Sequence, residues 1–80
     1  MDNSANNTSC FQEPSDVQKQ SLDTIVDHII EIFWDGDDIY YPCTVLSVKN
    51  TTTAVVCYFG DDSDPADENL SNSKWRIWNG

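Results

Sequence analysis

The chain predicts an all-β fold, a small antiparallel barrel, and three observations carry that expectation. Short runs of β-branched and aromatic residues recur between about residue 28 and residue 78, closely spaced and separated by turn signals. Eighty residues allow one small domain. A core of that size is marginal and suits a compact barrel better than a deep enzymatic pocket. The stretch from Trp34 to Phe59 also concentrates aromatic residues, with Trp34, Tyr40, Tyr41, Tyr58 and Phe59 inside it.

Taken in order, residues 1–21 are polar and acidic, with scattered apolar residues and no period of two or 3.6. They predict a disordered tail, because little offsets the entropy of ordering them. The barrel is expected over residues 22–78. Residues 21–34 admit two readings. Leu22, Ile25, Val26, Ile29, Ile30 and Phe33 form a helical stripe that Ser21 could cap. Alternatively, His28 to Trp34 is a strand with Ile30, Ile32 and Trp34 on one face. The strand is favoured for the second half, because the strands that follow need a partner, with a short helical turn before it.

Residues 35–40 (DGDDIY) read as a hairpin loop, with Pro42 opening the next strand, where a missing N–H is tolerated. Thr44 to Val48 is a strand, Lys49 to Thr52 a polar turn, and Thr53 to Phe59 the strongest strand of all. Gly60 ends it. Residues 61–69 form an acidic loop, and residues 70–78 hold a last short strand or turn.

Fourteen acidic residues against four basic ones give a net charge of −10. Such a surface repels phosphate backbones and argues against direct nucleic-acid binding. It suits a basic protein tail, or it only keeps the chain soluble. Three cysteines and no secretory signal suggest a reducing compartment, and no CxxC supports zinc. No apolar run reaches the roughly 18 residues of a membrane span. The stretch DDSDPADENLSN fails as a calcium loop, with Ala66 at its sixth position and Asn72 at its twelfth. His28 is the only histidine, and no spacing sets it beside Cys43 or Cys57 as a dyad. No catalytic residue, metal site or cofactor is expected. The sequons at Asn6, Asn7, Asn50 and Asn69 read as polar turns.

Trp34 and Tyr41 lie seven residues apart across the first loop, which sets them near one end of two neighbouring strands. Tyr58 reaches the same rim if the third strand runs antiparallel. Three rings around one opening can attract an alkylated cation by about 0.5–2 kcal/mol per ring. The same spacing also serves rings that simply fill core or surface. The surrounding aspartates could steer a basic peptide.

FWDGDDIYYPCTVLSV, AVVCYFG and ENLS together resemble the Tudor domain, most closely the survival motor neuron type, over roughly residues 26–71. The resemblance implies a five-stranded, strongly bent, SH3-like antiparallel barrel. It implies a monomeric, non-enzymatic reader of methylated arginine in Arg/Gly-rich tails, or of methylated lysine in related domains. It places the reader in the nucleus or cytoplasm, in RNA-processing, splicing or chromatin assemblies. It assigns an aromatic cage to Trp34, Tyr41 and Tyr58. The family's fourth cage aromatic falls on Asp61, and its cage Asn falls near Ser63 or Asp64, in a loop one residue longer. Asp61, Ser63 and Asp64 are thus expected as cage wall or rim. Phe59 and Trp75 are candidate replacements for the missing ring, although strand alternation turns Phe59 away from Tyr58. An interaction barrel that has lost methyl-ligand binding is the alternative.

Overall fold

The computed structural model of the chain describes residues 10–60 and 64–79. Their strands form one antiparallel sheet: β1 Phe11–Gln12, β2 Ile29–Trp34, β3 Ile39–Val48, β4 Thr53–Tyr58, β5 Ala66–Asn69 and β6 Trp75–Trp78. The spatial order is β1-β6-β2-β3-β4-β5. Edge strands β1 and β5 do not pair with each other, so the sheet is bent but not closed. The all-β expectation holds, with a sixth strand added to the five expected.

The longest strand, β3, makes the bend. Its first half pairs with β2, from Ile39 opposite Trp34 to Thr44 opposite Ile29. Its second half pairs with β4, and the register shifts between Val45 and Ser47. A bulge there leaves Leu46 without an opposite residue, and the strand bends to accommodate it. Pro42 lies inside β3, not at its start, and its carbonyl accepts from the Phe59 N–H at 3.1 Å. Its missing N–H falls where the β3–β4 ladder ends, so the proline costs the sheet little.

The core lies on the inner face. Ile30, Ile32, Cys43, Val45, Ala54, Val56, Trp75 and Ile77 meet there by strand alternation. Leu22 and Ile25, on a 3₁₀-helix at Leu22–Ile25, and Leu70 complete it. Residues 21–34 therefore resolve into a short helical turn followed by a strand. The stripe residues Ile29 and Phe33 belong to β2, where the period is two.

The expected tail differs over the residues described. Residues 10–20 hold β1 and helix α1 (Asp16–Gln20). Helix α1 has a capping box. The Ser15 hydroxyl accepts from the Gln18 N–H at 3.2 Å, and the Gln18 side chain accepts from the Ser15 N–H at 2.8 Å. Pro14 is buried. No residue of α1 is buried, so the helix carries no amphipathic period. Phe11 packs edge-on against Trp78, with ring centroids 5.4 Å apart.

Two asparagines organise the turns. Asn50 Oδ1 accepts from the Thr52 and Thr53 N–H groups, and Asn69 Oδ1 from those of Ser71 and Asn72. At the first hairpin the left-handed residue is Asp38, with φ 57°, not Gly36. Gly60, by contrast, has φ 71° with open space around it, so backbone conformation favours glycine there.

The outer face carries one polar network. Glu31 sits opposite Arg76 across β2 and β6 and pairs with it. The Arg76 guanidinium lies 3.9 Å from the Tyr40 ring centroid, and Tyr40 packs edge-on against Phe33 at 5.1 Å. Glu31 is buried, so its charge depends on this partner. Glu31→Gln should destabilise the fold by about 1–3 kcal/mol. Urea unfolding measures it, and an unchanged midpoint would show that the pair contributes nothing.

Candidate functional site

Antiparallel order brings the end of β2, the start of β3 and the end of β4 to one end of the sheet. Trp34, Tyr41 and Tyr58 meet there. Alternation puts them on the face that Ile32, Cys43 and Val56 occupy one step further in, so the rings continue the core outward. Trp34 is 45% exposed, and the two tyrosines are half-buried.

Trp34 is the shared member. Its ring centroid is 5.5 Å from that of Tyr41, with the planes inclined at 67°. The Tyr58 centroid is 5.8 Å away, at 86°. Each tyrosine thus meets Trp34 edge to face and forms a corner with it.

Hydrogen bonds hold that corner. The Trp34 indole N–H donates to the Tyr58 hydroxyl at 3.2 Å, which in turn donates to Glu68 Oε2 at 3.0 Å. The Tyr41 hydroxyl donates to Asp37 Oδ2 at 2.7 Å. Two carboxylates therefore stand directly behind the ring hydroxyls.

This environment holds both tyrosines protonated. Burial pushes the Tyr58 hydroxyl well above its ordinary value; the indole hydrogen bond opposes this, and the Glu68 carboxylate adds to it. The Asp37 hydrogen bond is the main cause of the rise at Tyr41. Below the site, burial pushes the Cys43 thiol up to about 12, with the Glu68 charge as a smaller cause.

Of the rim residues expected from sequence, Asp64 is exposed. Asp61 and Ser63 lie outside the described residues. Trp75 is no substitute ring, because it is buried in the core opposite Ile32. Phe59 is exposed and makes no ring contact with the three among the described residues.

Glu68 is the residue that sequence reasoning missed. It lies on β5, opposite Ala54, on the same face as the rings. Placing Ala66–Asn69 in a loop hid that alternation. His28 is exposed while Cys43 is fully buried, which does not suit a Cys–His dyad. Among the described residues no group of three or more His, Cys, Asp or Glu could hold a metal ion, and no helix is long and apolar enough to cross a membrane.

No family model matches the sequence, and no curated protein matches it. Among solved structures, the Arabidopsis RDM15 tudor domain, crystallised in complex with an H3K4me1 peptide, is similar to this chain. It is 30% identical over 71% of this chain and 97% of that domain, with a TM-score of 0.60.

Two of the three raised groups, Tyr58 and Cys43, owe their shift mainly to burial and fix a pH dependence. Tyr58 and Cys43 hold their protons more tightly folded than unfolded. Stability from them is fully present below the ordinary values of 10.0 and 9.0 and falls as pH climbs above those values. Urea midpoints should drop between pH 9 and 12, and less steeply in Tyr58→Phe and Cys43→Ala. Parallel curves for the variants and the parent would contradict this.

Proposed function

This chain belongs to the Tudor domain family, and on that premise we propose that it is a non-enzymatic reader of methylated side chains in basic protein tails. The corner of Trp34, Tyr41 and Tyr58 is the proposed cage. The observation that carries this reading is the meeting of three rings at one exposed sheet end, with Asp37 and Glu68 behind them. An alkylated cation within about 6 Å of a ring centroid is attracted to its face. One lying in the corner would meet more than one ring. Methylation removes N–H donors, and with them hydration, while keeping the charge. The surrounding acidic residues would add long-range attraction for a basic tail.

Methylated lysine is the preferred ligand and methylated arginine the second. A planar methylguanidinium stacks best between two parallel faces, and neither tyrosine stands parallel to Trp34, the angles being 67° and 86°. A compact methylammonium needs only a corner. The solved neighbour's H3K4me1 peptide supports the same choice. The reader would act in nuclear assemblies, on chromatin or in RNA processing.

The ring contacts favour one competing reading. Centroids 5.5 and 5.8 Å apart leave no slot between Trp34 and either tyrosine. An interaction barrel that no longer binds methylated ligands would show the same closed corner.

Titration of the labelled protein with methyllysine, dimethylarginine and unmodified peptides separates the two. Methylated lysine should move the Trp34 indole and the Tyr41 and Tyr58 amides, and the unmodified peptide should not. Trp34→Ala should weaken that binding about tenfold or more, since tryptophan is the strongest cation–π partner. Equal affinity for methylated and unmodified peptides, or for Trp34→Ala and the parent, would leave only the interaction barrel.

A further inference from the structure

Four basic residues stand against fourteen acidic ones, so every cation has ample opportunity to find a carboxylate. Two have done so. Lys49 pairs with Asp67 at 2.6 Å, and Arg76 pairs with Glu31. Lys19 and Lys74 have no carboxylate partner among the described residues. Both line the same cavity, of about 760 Å³, between the segment around α1 and the loop leading into β6.

The cavity has both apolar and polar walls. Pro14, Leu22, Leu70 and Trp75 are buried and give it an apolar floor, and Tyr40 forms part of the wall. The hydroxyl protons of Thr52, Ser71 and Ser73 are already committed to Asn50 and Asn69. Lys19, Lys74, the exposed Thr51 and the Tyr40 hydroxyl remain as donors, and Glu13 is the one acidic residue in the lining. None of these residues belongs to the aromatic corner.

We propose that this cavity is a second docking site, which takes an acidic protein segment carrying carboxylates beside an apolar side chain. Charge complementarity selects the occupant. The unpaired ammonium groups favour carboxylates, while the apolar floor favours a neighbouring aliphatic residue. A net charge of −10 disfavours a long phosphate backbone more than a short acidic segment. A second copy of the chain meets the same repulsion. The domain would then hold a cationic tail at one site and an acidic partner at the other.

The test is an amide and indole NMR titration of the full chain with a blocked hexapeptide of alternating Glu and Leu. A Gln/Leu hexapeptide and a poly-thymidine oligonucleotide serve as comparisons. The acidic peptide should shift the amides of Leu22, Thr51, Ser71 and Lys74 and leave the Trp34 indole unmoved. Lys19→Glu, at an exposed position, should weaken binding about tenfold or more, and Glu13→Gln should strengthen it. Lys74→Gln should weaken it as well. Trp34→Ala should leave it intact, so failure here and failure of the methyl-reader reading remain distinguishable. The proposal is overturned by no shift at millimolar peptide, by equal binding of the Gln/Leu peptide, by unchanged affinity in Lys19→Glu, or by tighter binding of the oligonucleotide at these residues.

Discussion

The double duty of β3 is the constraint on which the rest depends. One strand pairs with β2 over residues 39–44 and with β4 over residues 43–48, and the bulge at Leu46 lets it turn between them. Residues 43 and 44 lie in both ladders. That overlap sets Cys43 opposite Tyr58 and Tyr41 opposite Ile32, one step from Trp34. A register slip of one residue in either ladder would turn a ring of the corner to the outer face and its inward neighbours out of the core. Core burial and the placement of the aromatic site are therefore one requirement. This also explains why the site needs no dedicated loop: its rings continue the core alternation past the point where the sheet has anything left to cover.

Hydrogen bonding then ties that end of the sheet together. The chain of bonds from the Trp34 indole through the Tyr58 hydroxyl to Glu68 crosses from β2 through β4 to β5. β5 needs such help. Its sequence, ADEN, has no β-branched or aromatic residue, and it stands at the sheet edge. Its ladder to β4, the Lys49–Asp67 pair and the Tyr58–Glu68 bond fasten it. Its charged residues also protect an edge that would otherwise invite strand addition. Glu68 thus serves the fold, and with Asp37 it stands behind the proposed cage.

Where a residue's own pattern decides its structure, the sequence was legible. Ile30, Ile32 and Trp34, and the Val-rich run ending at Tyr58, show their faces by alternation, and the three rings of the corner follow from strand order. Where the partner decides, it was not. β1 is two residues long, and β5 looks like an acidic loop until Val56 and Ala54 pair with it. The Ser15–Gln18 capping box is written in SDVQ, but five helical residues carry no amphipathic period to call attention to it. The edge-on ring contacts and the carboxylates bonded to the tyrosines depend on side-chain positions that no spacing encodes. Asp61 and Ser63 stay expectations, since they lie outside the described residues.

The scarcity of positive charge gives the remaining argument. Each paired cation fastens a strand: Lys49 holds Asp67 of the edge strand β5, and Arg76 of β6 holds Glu31 of β2. Both are used where propensity or burial leaves the sheet in need. If the four basic residues served stability alone, the other two would be expected beside carboxylates as well, because the chain offers so many. Lys74 instead lies over the Phe33 ring, 5.2 Å from its centroid, and Lys19 ends a helix with no apolar stripe of its own. An ammonium beside an aromatic face keeps most of its capacity to meet an anion, whereas one already paired does not. The division between paired and unpaired cations, and the convergence of the unpaired two on one cavity, is what separates a docking site from a solvated surface in a chain this acidic.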